Sequence, residues 1–490
     1  MIPITPPALP RVLGLWMATA IVVGTVIGTG VFKKGYNVAK NVPEFGLAVS
    51  VWVVGGILAL LGSLVLAEIA LRNPRSGGNF VFLKAAYGPL WGFLWGWVDF
   101  WIIRTASIAV LATMFTESLH DFARELEHTD AEIVGFWPRQ FITVGVIAFL
   151  ALVNARGTRL GGSVQVVLTL LKVGSIVGIA LLPFLVFSVS THISGRPNTA
   201  YMRPFWPYDW SQVNWSNYAA AIVAVLWAYH GWMNGGSAVE EVQRPSRNIP
   251  LSLLGGVLLL IALYVSANVA YYSAIPREEM AAMKDSPVAT QFLLRLLGPL
   301  GAALGSLIIM ISVLGSANGN ILVGPRLLMA MGQDGLAPKR LGRIHRKYRT
   351  PVMAIFAVAG WSCLLVLIVA LLLKNCEWMF HSGKFDAQGL PEVKSPFDVL
   401  TDFAVFGSVT FETMVVASLF VFRRRDRAPE LPYRCPGYPF VPALYVAFMA
   451  WILWNMLVNP EHRSETLIGF GFITAGVMVY YTAIRGKRIV

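Results

Sequence analysis

Gly24-Thr25-Val26-Ile27-Gly28-Thr29-Gly30 puts three glycines into seven residues, inside an apolar segment near Val12–Phe32. Each glycine costs a helix interior about 1 kcal/mol relative to alanine. Two readings follow. Small residues let helices pack closely, as in GxxxG contacts. Alternatively the helix unwinds here, and an unwound backbone survives in a membrane only inside protein or along a wet cavity. A second interruption, Trp227-Ala228-Tyr229-His230-Gly231-Trp232-Met233-Asn234-Gly235-Gly236, lies near Tyr218–Val239. There a histidine, an asparagine and three glycines sit among aromatics. Packing alone accounts for one such stretch more easily than for two. Interruptions in corresponding positions of two halves point to an inverted-repeat transporter with a site near the bilayer midplane.

The composition around these stretches agrees with a membrane setting. The chain has 490 residues, 56% hydrophobic and 13% charged. That charge content is about half the roughly 25% of soluble domains, and mean hydropathy is +0.63. A soluble domain and a disordered chain are both excluded. A membrane-crossing helix needs about 20 apolar residues. Twelve segments qualify: near Val12–Phe32, Leu47–Leu71, Leu90–Phe115, Phe141–Val153, Leu160–Phe187, Tyr218–Val239, Leu251–Ala274, Leu296–Met331, Val352–Leu373, Phe397–Phe422, Val441–Val458 and Leu467–Ile484. The fourth is short, and the eighth must run past the bilayer. The ten-residue alternation of a β-barrel is not visible.

The net charge of +13 tests the topology. With the N-terminus inside, inner segments hold 23 of the 39 Lys and Arg and 6 of the 26 Asp and Glu. Outer segments hold 14 basic and 18 acidic residues. An excess of Lys and Arg on the cytoplasmic side is the expected bias, so both termini are placed there. The basic loop GQDGLAPKRLGRIHRKYRTP is a solvated anchor of this kind, with no sign of nucleic-acid binding. Cys363, Cys376 and Cys435 form no close pair, which predicts no disulfide framework and no metal cluster. No cofactor is expected. The first apolar segment lacks a small-residue cleavage site, so no signal peptide is expected.

The chemistry of a broken helix narrows the ligand. Unwinding exposes N–H groups at the start of one half-helix, beside its positive dipole end, and these suit a carboxylate. Carbonyls left at the end of another half-helix suit an ammonium. Around Gly28 and Gly30 a ligand meets main chain, because no side chain intervenes.

GTVIGTGVF resembles the first-helix signature of the amino acid–polyamine–organocation superfamily. AEIALRNPRSGGNFVFLKAAYG (Ala67–Gly88), WVDFWIIRTAS (Trp97–Ser107), WAYHGWMN (Trp227–Asn234), EEVQRPSRNIP (Glu240–Pro250) and SANGNILVGPRLLMAMGQDGLAP (Ser316–Pro338) extend it toward the L-type amino acid transporter branch. The resemblance runs from about Val12 to Pro442. It implies an all-α polytopic membrane protein with 12 transmembrane helices and a LeuT-type 5+5 inverted repeat with helices 1 and 6 broken. The first five-helix repeat would span 12–190, the second 214–423, and helices 11–12 would occupy 438–484. It further implies that Ile27, Gly28, Thr29 and Gly30 receive the carboxylate and part of the ammonium of an amino acid. Trp227, Ala228, Tyr229 and His230 would complete the ammonium site and gate it. His230 and Met233 depart from the family pattern, where Gly or Asp and Asn often stand.

Four charged residues fall inside spans. Lys172 lies 12 residues past Arg159, so about 18 Å along the helix. A lysine at that depth costs roughly 2.5–3.5 kcal/mol on insertion scales. It is either a structural partner of carbonyls or a carboxylate, or, as the resemblance implies, a built-in cation where sodium-coupled folds hold an ion. Asp99 and Arg104 lie five residues apart, about 140° around an α-helix, so a simple i,i+4 bridge is not assured. Structural partnership and gating both remain open for them. Glu412 has candidate partners in His230, Lys172 or water. Glu68, Glu240 and Glu241 face the basic loops, as inner-gate or surface pairs. Trp91, Trp95, Trp97 and Trp101 read as packing or lipid-facing.

The leading expectation is a secondary active amino acid transporter working by alternating access. Sodium-independent exchange of neutral, preferably large neutral, amino acids comes first. A proton-coupled amino acid or polyamine symporter is the alternative, and an amino-acid-binding membrane sensor is the alternative of another class. No HExxH, CxxC, nucleophile elbow or P-loop is present, so an enzyme is not expected. The expected partners are the substrate and the lipid bilayer. L-type relatives in animals bind a heavy subunit through a Cys in the third-to-fourth outer loop. Glu117–Pro138 contains no Cys, so no disulfide-linked heavy subunit is expected, and Cys376 lies in a different outer loop. The expected location is the plasma membrane, or the inner membrane of a bacterium.

Overall fold

The computed structural model describes residues 9–127, 132–189, 197–283, 286–375, 381–385, 391–393, 396–425, 431–458 and 460–485. Cys376 lies outside the described residues. Among the described residues, ten helices are long and apolar enough to cross a membrane. They are Phe45–Arg72 (span 2), Pro89–Glu127 (span 3), Phe136–Ala155 (span 4), Thr158–Val186 (span 5), Pro245–Ala274 (span 7), Pro299–Gln333 (span 8), Val352–Asn375 (span 9), Val405–Arg425 (span 10), Phe440–Val458 (span 11) and Thr466–Ile484 (span 12). Two further crossings are interrupted. Span 1 consists of Leu15–Val26 and Gly30–Lys33, and span 6 of Trp215–Tyr229 and Asn234–Ser237. The chain is an all-α polytopic membrane protein. One antiparallel ribbon, His381–Phe385 with Pro391–Val393, decorates the connection between spans 9 and 10.

Span 4 is full length rather than short, because Pro138 sits in its first turn, where a missing N–H breaks no helical bond. Span 8 does overrun the bilayer. Its 35 residues reach about 52 Å at 1.5 Å per residue, with a joint at Gly324-Pro325.

Burial orders the bundle. The apolar window of span 3 is 72% buried and that of span 12 only 17%, so span 3 is central and span 12 peripheral. Span 8 packs along span 3, and span 7 along span 2. The first half of span 1 lies against spans 5, 7 and 8. The interrupted backbone is therefore enclosed by protein, as a membrane requires. Trp95 packs edge-on against Phe411, Trp97 stacks on Phe472, and Trp101 meets Trp361. Trp91 is partly exposed.

Candidate functional site

The two interruptions face each other. Span 1 leaves the helix at Ile27 (φ −69°, ψ 87°) and resumes at Gly30. The N–H groups of Gly28, Thr29 and Gly30 have no backbone acceptor among the described residues. Span 6 leaves at His230 and turns through Gly231, whose φ of +111° excludes most side chains. A Cβ at position 30 would fall within contact distance of Ala228 Cα and Cβ, so glycine there lets the two spans meet main chain to main chain. Tyr264 of span 7 ties the breaks together, with its Oη 3.2 Å from Val26 O and 3.1 Å from Ala228 O. Thr25 Oγ1 lies 2.7 Å from Ile21 O and 3.2 Å from Gly231 O.

A cavity of about 30 Å³ lies between the breaks. One water needs about 10–15 Å³, so the site is closed to little more than solvent. Gly28, Thr29, Gly30, Trp227 and His230 line it, together with Thr25, Ser107, Asn234, Ser316 and Asn320. Ile27, Ala228 and Tyr229 lie behind it instead. The Ile27 side chain is fully buried, and its carbonyl is taken by Lys172 and Ser316. The Ala228 carbonyl is taken by Tyr264. Tyr229 donates to Trp52 O and faces span 2. Trp227 reaches over the cavity, with its Nε1 3.4 Å from Thr29 Oγ1 and its ring stacked on that of His230.

Lys172 is fully buried and donates to Gly24 O (2.7 Å), Ile27 O (2.7 Å) and Ser316 Oγ (2.9 Å). These carbonyls lose their helical donors where span 1 unwinds. An ammonium with three acceptors is a compact way to hold them.

Behind Asn234 and Asn320 of the lining lies an arginine, Arg104. Residues 99–103 form a π-helical turn. Its i→i+5 geometry puts Arg104 on the same face as Asp99, which the α-helical angle of the sequence reading did not. Arg104 Nη2 lies 3.2 Å from Asp99 Oδ1. Nη1 donates to Asn234 Oδ1 (3.0 Å) and Asn320 Oδ1 (2.6 Å), joining spans 3, 6 and 8. Glu412 meets His230, its Oε1 lying 3.5 Å from Nδ1.

Ion pairs latch helix ends against one another. Glu241 pairs with Arg326. Glu68 pairs with Arg72 (2.8 Å) and Arg423 (2.6 Å) and accepts from Cys435 N. Asp334 pairs with Lys84 (2.6 Å) and Arg75 (3.2 Å). Burial alone would raise the Asp334 carboxyl, but hydrogen bonds from Lys84 and Arg75 outweigh it and hold it below its ordinary value. Glu240 accepts from Ser76 N. Leu13 bridges to Val242, closing the entry to span 1 against the exit from span 6.

The sequence reading did not single out Tyr264, Ser107, Ser312, Ser316 or Asn320. One signal was present: Ser312, Ser316 and Asn320 recur every four residues in an apolar span, a polar stripe on one face.

Residues 13–483 match the family described as amino acid permease. The chain belongs to that family. It is 30% identical to the serine/threonine exchanger of Bacillus subtilis (strain 168), over 96% of this chain and 97% of the relative. It is 28% identical to the human cystine/glutamate transporter, over 96% of this chain and 85% of the relative. It is 27% identical to the rabbit (Oryctolagus cuniculus) large neutral amino acids transporter small subunit 2, over 97% of this chain and 81% of the relative. These matches support the superfamily and the L-type likeness seen in the motifs. In this permease the broken spans are the places where family resemblance and physical argument coincide.

Proposed function

We propose that this chain exchanges neutral amino acids across the membrane by alternating access, without sodium, and prefers large ones. The substrate carboxylate is received by the free N–H groups at Gly28, Thr29 and Gly30. Its ammonium is received by carbonyls at the end of the first half of span 6, beneath Trp227 and beside His230. The observation that carries the reading is Lys172: its ammonium already occupies the carbonyls at the span 1 break, leaving an added cation without a role there. His230 is the one titratable side chain lining the central cavity among the described residues, which favours neutral substrates. Two of the relatives are named for serine and threonine and for large neutral amino acids, and a third for cystine and glutamate.

On this reading 12–190 and 214–423 are two five-span repeats, with span 1 corresponding to span 6. The latched side is cytoplasmic, both termini lie there, and the inner pairs break when the site opens inward. The protein works in the plasma membrane without a disulfide-linked heavy subunit. A proton-coupled cycle is the second reading, favoured by the His230–Glu412 contact. A flux-free sensor is the remaining alternative.

A thermal-shift panel of the twenty amino acids on purified protein, followed by counterflow in proteoliposomes, tests the proposal. A ligand that binds only the folded state raises its stability. Uptake that ignores internal amino acid would sink exchange, and uptake that requires sodium would sink the role given to Lys172.

A further inference from the structure

We propose that His230 and Glu412 together hold one proton, and that substrate binding expels it. This rests on the central cavity being the substrate site.

His230 stands at a junction. The residue lines the central cavity, a second one between spans 2, 6, 10 and 11, and a third toward Asp99 and Arg104 of span 3. Glu412 of span 10 lies on the far side, 3.5 Å from Nδ1 and 7% exposed. Among the described residues its carboxylate accepts no hydrogen bond shorter than that contact. The second cavity also contains Ser408 Oγ and Tyr445 Oη, both buried and without a hydrogen-bond partner among the described residues. A buried carboxylate beside unpaired hydroxyls is costly unless a positive charge or a proton neutralises it. One proton does this whether it resides on imidazole or carboxylate.

Among the described residues, the other titratable groups facing the pair, apart from Tyr445, are already committed. Asp99 is held by Arg104, and Arg104 also binds Asn234 and Asn320. Tyr229 donates to Trp52 O, and Tyr264 serves the two breaks. Lys172 sits across span 1 on its own carbonyls. Spans 2 and 11 present Gly55, Ala59, Tyr445 and Met449, without a charge. The second cavity measures about 20 Å³, enough for a water and too small for a cationic side chain. With no room for a cationic side chain, the charge that compensates Glu412 is a proton shared within the pair.

Coupling follows from position. A bound amino acid would place its ammonium at the span 6 break, against the face of His230 that lines the central cavity. A positive charge there disfavours the protonated pair. By reciprocity a proton expelled on binding also weakens binding when it is present. Affinity therefore rises with pH. The loss of affinity at low pH belongs to the protonated pair and disappears when the pair is removed.

The test is isothermal titration of full-length protein with L-leucine and with L-serine, in phosphate and in Tris, between pH 6 and 8. Wild type is expected to release a proton, seen as a buffer-dependent enthalpy, and to bind about tenfold more weakly at pH 6 than at pH 8. Glu412→Gln and His230→Gln should each abolish the buffer dependence and flatten the affinity profile. Release that survives both substitutions overturns the proposal, as does wild-type binding without release. If Glu412→Gln does not fold, His230→Gln and the wild-type buffer comparison decide alone. Wild type that binds none of the twenty amino acids at any pH refutes the substrate site itself, and this proposal with it. Binding without proton release refutes only the pair.

Discussion

Replacing Lys172 by Met removes an ammonium while keeping most of the side-chain length. Three hydrogen bonds are lost, to Gly24 O, Ile27 O and Ser316 Oγ. Charge-assisted bonds contribute about 1.5–3 kcal/mol each, so a naive sum exceeds 4 kcal/mol. The local geometry reduces it. Ser316 Oγ lies 3.1 Å from Gly24 O and 2.7 Å from Ile27 O, and Ser312 Oγ lies 3.1 Å from Ile27 O. With the ammonium gone, Ser312 can serve Ile27 and Ser316 can serve Gly24. The buried charge also no longer has to be desolvated. What remains is roughly the cost of one weakened buried acceptor, about 2 kcal/mol. That loss falls on the span 1 break, the conformation that presents the N–H groups of Gly28, Thr29 and Gly30. If it is felt fully in binding, affinity drops about thirtyfold, since 1.4 kcal/mol is a factor of ten. Lys172→Arg should not rescue it. Lys172 Cε already lies 2.6 Å from where a Cβ on Gly315 would sit, which leaves no room for a guanidinium. The assay is amino acid binding by thermal shift, then counterflow at matched protein density. A Lys172→Met protein that binds and exchanges like wild type would refute the reasoning.

Three further predictions concern separate parts of the molecule. Gly28→Ala adds a methyl 3.4 Å from Leu111 Cδ2 and 3.5 Å from Ser316 Oγ, so it should fold with little change in thermal midpoint yet lose amino acid binding. Gly30→Ala, which collides with the Ala228 backbone, should lower the midpoint as well; equal midpoints for the two would show that the spans do not touch as described. Arg104→Lys keeps the charge but cannot reach Asp99, Asn234 and Asn320 with one planar fork, and a drop of about 2–3 kcal/mol in stability is expected from the stranded acceptors; chemical unfolding of the purified protein measures it. Asp334 titrates below its ordinary 3.8 in the folded protein. Its pairing with Lys84 and Arg75 therefore contributes stability fully above pH 3.8 and loses it as pH falls through the lower folded value. Asp334→Asn should melt earlier than wild type at neutral pH, with the gap closing below pH 3.8; a constant gap would exclude this linkage.

The bundle was legible because hydropathy reports burial in lipid directly. Twelve apolar segments became ten continuous spans and two interrupted ones, with the interruptions at the glycine-rich stretches. Residue roles inside the breaks were less legible. The motifs say that the backbone opens within residues 24–30 and 227–236, but not which atoms then face inward. Ile27 and Ala228 contribute carbonyls to Lys172 and Tyr264, and these point away from the cavity. Tyr229 turns toward span 2 because the helix still holds it one residue before the break.

The charges inside the spans show the same limit more sharply. Depth marked Lys172 as a lysine that must find acceptors, and the family resemblance put the unwound span 1 beside it. Asp99 and Arg104 could not be placed in this way, because their pairing depends on a five-residue π turn. Nothing in WVDFWIIRTAS distinguishes that turn from an α-helix by pattern. The π turn and the Arg104 network explain each other: the extra residue aligns the acid with the base, and the paired base can then hold Asn234 and Asn320 without leaving a naked charge in the core. Among the described residues, Glu412 has no such ionic compensation beyond His230. A chain that satisfies Lys172, Asp99 and Arg104 so fully, yet leaves one intramembrane carboxylate beside a single imidazole among the described residues, has put its remaining freedom of charge beside the broken span 6.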